Sequence, residues 1–181
     1  MKAYRRYNFI PTYPETGMDT PVATPNRHGA DGTAGRVRVL YVDADCDDIT
    51  AVTETLSGSP DEFTVTVCET ADDALTSLEN ASYDCVVSEY RLPDRNGIEL
   101  LRAVRKQSFD LPFLLFTDDG DESVASDAIS AGVTDYVTKT PLSEQTELLR
   151  QRITAAVARY LEEADILDRM TDGFFAVDED W

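Results

Sequence analysis

Four polar residues of this 181-residue chain could share one piece of chemistry, because each directly follows an apolar run of strand length. Asp43 closes Val-Arg-Val-Leu-Tyr-Val, Glu89 follows Val-Val-Ser, Thr117 closes Pro-Phe-Leu-Leu-Phe, and Lys139 follows Asp-Tyr-Val-Thr. Carboxylates gather a divalent cation through oxygen, a lysine ammonium fixes a phosphoryl oxygen by charge, and a hydroxyl receives another. A single acid would be poor evidence in a chain with 35 Asp and Glu, but four strand ends in sequence order are a pattern. The type at position 89 is decisive. A glutamate carries its carboxylate one methylene further out than an aspartate, within reach of Lys139.

The elements that would position these residues alternate apolar strand runs with amphipathic helices from Arg36 onward. Strands are predicted at Val37 to Val42, Phe63 to Val67, Asp84 to Ser88, Pro112 to Phe116 and Asp135 to Val137. Helices are predicted at Asp47 to Leu56, with Asp47 as cap, at Ala71 to Leu78 capped by Thr70, at Gly97 to Arg105, and at about Glu122 to Ala131. Five βα repeats imply a doubly wound parallel sheet with helices on both faces, and ligands then bind at the carboxyl ends of the strands. The last helix starts near Ser143 and carries Ile153, Val157, Tyr160, Ala164 and Leu167 at alternating spacings of four and three, an apolar seam that outruns the sheet. Its first half, to about Ala156, is expected on the sheet, and its second half, 157–170, in a connecting or dimerising coil. Thr171-Asp172-Gly173 is expected as a turn and Phe174 to Asp178 as a strand.

Composition bounds the partners. The net charge is -19, with Lys2, Lys106 and Lys139 the only lysines, so nucleic acid and anionic membrane are disfavoured. Acidity with so little lysine fits a surface adapted to high salt. Residues 1–35, with four prolines, four glycines and no periodicity, read as a disordered leader, and Met18 offers an alternative start. Cys46, Cys68 and Cys85 have no metal-ligand spacing and read as small hydrophobes in a reducing cytoplasm. No stretch reaches the roughly 20 apolar residues of a membrane span, so the expected location is cytoplasmic.

Residues 36–156 resemble a response-regulator receiver domain of two-component signalling. The resemblance rests on Asp43, the spacing from Glu89 to Pro93 to Gly97, Thr117, Ala131-Gly132-Val133-Thr134-Asp135-Tyr136, and Lys139. It implies a flavodoxin-like five-stranded fold, with an extended C-terminal helix here, and a regulatory module rather than an enzyme. It also implies a histidine kinase as phosphodonor to the aspartate that Glu89 replaces. A Mg²⁺ site would draw on Asp43, Asp45, Glu89 and the backbone carbonyl of Arg91, and Thr117 with Tyr136 would form the pair that reports the state of the pocket. Residues 171–181 resemble the opening of a PAS sensor domain, so the implied order is receiver, coiled linker, PAS and a kinase beyond, as in halophilic archaea. The seam implies a homodimer through the last helix.

The sequence departs from that pattern at three places. Asp43-Ala44-Asp45 stands where two adjacent acids are usual, leaving one direct Mg²⁺ ligand short, with Asp45 one residue along as its substitute. Lys139-Thr140-Pro141 stands where Lys-Pro is usual. Glu89 stands at the phosphoacceptor position, either as a permanent mimic of the phosphorylated state or as an acid that merely neutralises Lys139, which makes the module a degenerate receiver. Two other readings remain: an active Mg²⁺-dependent phosphoryl acceptor, and a flavodoxin-like cofactor binder, for which the acidic loop Asp43 to Asp48 is a poor phosphate cradle.

Overall fold

The computed structural model describes residues 35–58, 62–108, 110–118, 120–139 and 142–174, with the side chains of the last helix described over 146–164. In chain order the elements are β1 (Val37–Val42), α1 (Cys46–Ser57), β2 (Phe63–Cys68), α2 (Ala71–Asn80), β3 (Cys85–Ser88), α3 (Gly97–Gln107), β4 (Phe113–Thr117), α4 (Glu122–Ser130), β5 (Asp135–Thr138) and α5 (Leu142–Phe174). The strands form one parallel sheet in the order β2-β1-β3-β4-β5. From β1 the chain moves to one side for β2 and to the other for β3. The crevice beyond the carboxyl ends of β1 and β3 is therefore the topological switch point where such sheets bind their ligands.

The two-residue period of the strands divides the core into two layers. Leu40, Val42, Val86, Phe113 and Leu115 face α2, α3 and α4, where Ala74, Leu101, Val104 and Ala128 are buried. Val39, Tyr41, Val87, Leu114 and Phe116 face the other way, onto Val52 and Leu56 of α1 and Leu149, Ile153, Ala156 and Val157 of α5. Complete burial of residues such as Phe113 and Phe116 contributes about 1.5–3 kcal/mol each and leaves the strand ends as the places where polar side chains converge. Of the cysteines, Cys68 and Cys85 are buried as expected of small hydrophobes, whereas Cys46 is exposed at the start of α1.

Two boundaries differ from expectation. The cap of α1 is Asp45, not Asp47. Its backbone is extended and its carboxylate accepts the amides of Asp47 and Asp48 at 2.8 and 3.1 Å, so the helix begins one residue earlier than its apolar pattern signals. Helix α5 also runs through the predicted turn at Thr171-Asp172-Gly173 to Phe174. Each added residue of an established helix gains a hydrogen bond, and one interior glycine costs only about 1 kcal/mol relative to alanine, so it does not stop the helix. The predicted strand beyond Phe174 and the leader lie outside the described residues, as does Thr140-Pro141.

At 33 residues α5 is about 50 Å long. Its seam is core through Val157, while Tyr160 is half-buried and lines, with Ala156 and Pro112, a cleft at the amino ends of β4 and β5. Leu161 is 40% exposed, so the helix carries apolar surface past the point where the sheet can cover it. No helix among the described residues is long and apolar enough to cross a membrane.

Candidate functional site

Asp43 leaves β1 at the switch point, with its amide bonded to the Cys68 carbonyl at 3.0 Å. Its two oxygens are both engaged by the protein. Oδ1 accepts the Asp45 amide at 2.9 Å, and Oδ2 accepts the Tyr41 hydroxyl at 2.7 Å and the Lys139 ammonium at 2.9 Å. Tyr41 lies two residues back on the same strand face, fully buried. Burial, then the adjacent Asp43 charge, pushes the Tyr41 phenol far above its ordinary range, so it stays a donor to Asp43 at every accessible pH.

Glu89 leaves β3 next door, anchored by its amide on the Val42 carbonyl at 2.8 Å. Oε1 accepts the amides of Tyr90 and Arg91 at 2.6 and 3.3 Å together with the Thr117 hydroxyl. Oε2 lies 2.6 Å from the Lys139 ammonium. The carboxylate therefore sits in a full shell of donors: two backbone amides, one hydroxyl and one cation. Glu89 is only 6% exposed, and that shell offsets the desolvation of its charge.

Lys139 closes the cluster. Its amide bonds the Thr117 carbonyl at 2.8 Å, and its ammonium lies over the Phe116 ring at 5.3 Å from the centroid. Burial alone would lower its pKa, but hydrogen bonds to Asp48, Glu89 and Asp43 outweigh burial and hold it well above the ordinary lysine range. A lysine raised in this way contributes stability that is lost only as pH rises through its folded value, far above neutrality.

The third carboxylate on Lys139 is Asp48, in the first turn of α1, with Oδ2 at 2.6 Å. Sequence reasoning missed both Asp48 and Tyr41. The strand period could have found Tyr41, since residues two apart share a face, but the position of Asp48 follows from α1 starting at Cys46 rather than at Asp47. Of the predicted site residues, Asp43, Glu89, Thr117 and Lys139 are brought together. Asp45 instead caps α1, exposed, with amides from Asp48 and Asp47 holding its carboxyl below the usual carboxylate range. Arg91 enters the network through its amide, and the role predicted for its carbonyl requires a metal ion.

The donor set does not suit Mg²⁺ in this arrangement. An octahedral ion needs oxygens free at about 2.0–2.1 Å, yet Asp43 Oδ2, Asp48 Oδ2 and Glu89 Oε2 all converge on one ammonium. Among the described residues no group of three His, Cys, Asp or Glu is arranged to hold a metal ion.

Tyr136 does not bond to Thr117. Its ring packs against the layer of α2, α3 and α4, and its hydroxyl is buried with no hydrogen-bond partner among the described residues. Burial, then the charges of Asp121 and Glu89, raises its pKa. The ring fits because residue 120 is glycine, since a Cβ there would lie 1.5 Å from the Tyr136 hydroxyl. Gly120→Ala should therefore drive Tyr136 outward at a cost of about 1–3 kcal/mol. Nitration with tetranitromethane, mapped by peptide mass, should rise several-fold at Tyr136, and unchanged nitration there would contradict the inward placement.

The loop between β3 and α3 is fixed at both ends. Asp94 accepts the amides of Ala71 and Asp72 at 3.0 and 2.9 Å, tying the loop to the start of α2. Asn96 and Glu99 form a reciprocal capping box on α3, a type of cap worth about 1 kcal/mol. The Glu89 carboxylate is thus presented by a braced loop.

Residues 39–154 match the response regulator receiver domain family. The transcriptional regulatory protein FixJ of Bradyrhizobium diazoefficiens is 32% identical over 135 residues, which cover 74% of this chain and 60% of FixJ. The response regulator protein TodT of Pseudomonas putida is 30% identical over 131 residues, covering 71% of this chain and 54% of TodT. The chain thus spans little more than half the length of these relatives. Among solved structures, the signal receiver domain of an HD domain-containing protein from Pseudomonas fluorescens superposes with a TM-score of 0.64 at 28% identity, covering 72% of this chain and 93% of that one. The CheY-like receiver domain protein of Methanospirillum hungatei has the same fold, with a TM-score of 0.64 at 24% identity, covering 70% of this chain and 98% of that one.

Proposed function

The chain belongs to the response regulator receiver domain family, and we propose that this member carries its signal without accepting phosphate, as a degenerate receiver whose Glu89 stands in for a phosphorylated aspartate. One observation supports this reading above the others. The Glu89 carboxylate is met by the Thr117 hydroxyl, the Lys139 ammonium and the amides of Tyr90 and Arg91, the kinds of donor that phosphoryl oxygens require. An active acceptor would need a carboxylate oxygen facing solvent and a metal, and both Glu89 oxygens are already engaged.

Receiver modules act between histidine kinases and output domains, and in this chain the route outward is α5. The fixed state of the pocket passes along that helix, beyond Val157, to a downstream output of PAS or kinase type, with the outer helix pairing with a second copy. Supporting this is the continuity of α5 to Phe174 and the exposure of Leu161. In sedimentation experiments the full chain should self-associate, and Glu89→Gln should raise the dimer dissociation constant roughly tenfold by placing an amide against Lys139. An association constant indifferent to Glu89→Gln would contradict the link between pocket and helix.

The acidic surface belongs to the same reading, as an adaptation to a high-salt cytoplasm. At -19, self-repulsion is relieved as the Debye length falls from about 10 Å at 0.1 M salt to about 3 Å at 1 M. The melting temperature should rise by on the order of 10 °C between 0.1 and 2 M KCl. A flat melting temperature over that range would remove the halophilic assignment.

A further inference from the structure

We propose that Lys139 is the resident cation of this pocket and that Asp48 is the residue that positions it; the inference rests on the degenerate-receiver reading and extends it to how the pocket is regulated. Three carboxylate oxygens, from Asp43, Asp48 and Glu89, approach the Lys139 nitrogen at 2.9, 2.6 and 2.6 Å. These three side chains come from β1's end, α1 and β3's end, so they surround the ammonium rather than lie along one surface. Lys139 and Asp43 have side chains only 7% and 3% exposed, and Asp48, at 21%, forms the outer wall between Lys139 and solvent.

Charge explains why Asp48 is needed. Asp43 is already shared with the Tyr41 hydroxyl and the Asp45 amide, and Glu89 with Thr117 and two amides, so each gives Lys139 only part of its negative charge. The Asp48 carboxylate is directed at Lys139 and supplies the strongest remaining pull. It also fixes the direction of the ammonium toward Glu89 Oε2, because the ammonium itself lies over the Phe116 ring and cannot swing without giving up that contact. The pocket is therefore closed by an internal cation and does not respond to divalent metal.

The geometry makes a specific demand of a variant that lacks the ammonium. Lys139→Met keeps the apolar stem but leaves three converging carboxylates without a cation. Oxygens that stood 2.6–2.9 Å from nitrogen need move in only slightly for Ca²⁺, which takes ligands at about 2.3–2.6 Å, but much further for Mg²⁺ at about 2.0–2.1 Å. Calorimetric titration of the full chain with CaCl₂ should show at least tenfold tighter binding by Lys139→Met than by the unmodified chain, and tighter binding of CaCl₂ than of MgCl₂. Adding Asp48→Asn to Lys139→Met should remove at least tenfold of that affinity. Equal CaCl₂ binding by the unmodified chain and Lys139→Met, or no effect of Asp48→Asn, would overturn the proposal.

A second measurement does not depend on Lys139→Met folding. Reaction with acetic anhydride, mapped by peptide mass, should spare Lys139 relative to exposed Lys106, and the single substitution Asp48→Asn should raise labelling of Lys139 several-fold while leaving Lys106 unchanged. Labelling of Lys139 unaffected by Asp48→Asn would show that Asp48 does not hold it. Neither measurement involves phosphoryl transfer. A chain that accepts phosphate would sink the degenerate-receiver reading, whereas failure of these two measurements would leave that reading intact and remove only the roles proposed for Lys139 and Asp48.

Discussion

Gly97→Ala should destabilise the domain by about 3 kcal/mol, a loss of on the order of 10 °C in melting temperature. A Cβ at position 97 would lie 2.4 Å from the Glu89 carbonyl oxygen, 2.9 Å from Leu115 Cδ1 and 3.1 Å from Ser88 Oγ. The nearest of these is backbone, so relief requires moving either α3 or the loop that carries Glu89. That loop is not free to move, because the Gly97 amide bonds the Tyr90 carbonyl at 2.7 Å and the capping box fixes the helix start. Gly97 is needed for close approach rather than for an unusual φ, and the effect should be read both as lost stability in urea and as a displaced Glu89. A variant within 1 kcal/mol of the parent would mean the loop yields more easily than these contacts imply.

The second large effect concerns phosphorylation. The unmodified chain, incubated with acetyl phosphate and Mg²⁺, should gain no phosphoryl group. A nucleophilic carboxylate oxygen must be free to reach the phosphorus, and in Glu89 three donors occupy Oε1 while the Lys139 ammonium holds Oε2 inward. Glu89→Asp alone should recover little, since it shortens the side chain without restoring the acid missing at Ala44. Glu89→Asp together with Ala44→Asp should recover a hydroxylamine-labile adduct, with acetate as the leaving group. The difference between single and double variants is expected to be tenfold or more in extent at fixed time, a cooperative effect typical of groups that act as a unit.

The sheet and the main site are legible in the sequence for the same reason. Strands buried on both faces write themselves as short apolar runs, and the first polar residue after each run falls at the carboxyl edge, so the order of residues along the chain is enough to group Asp43, Glu89, Thr117 and Lys139. What is not legible depends on side-chain direction and on helix starts. Asp45, Asp47 and Asp48 are chemically alike and within four residues of one another, and only the backbone at Asp45 decides that it caps α1 while Asp48 turns inward to Lys139. Tyr41 lies in an apolar run and is core, but its hydroxyl also reaches Asp43, which no run of apolar residues signals. The end of α5 escapes the sequence pattern because a Thr-Asp-Gly run signals a turn only where nothing rewards continuing the helix.

The central claim is that Glu89, held by Thr117 and Lys139, takes the place of a phosphorylated aspartate and leaves nothing to phosphorylate. Its most direct test is the intact mass of the unmodified chain after prolonged exposure to acetyl phosphate and Mg²⁺, followed by peptide mapping of residues 85–102. The account predicts a mass identical to that of the untreated chain and an unmodified Glu89 peptide. A stoichiometric gain of one phosphoryl group mapped to Glu89 would contradict it and restore this module to the ordinary phosphoryl acceptors of its family.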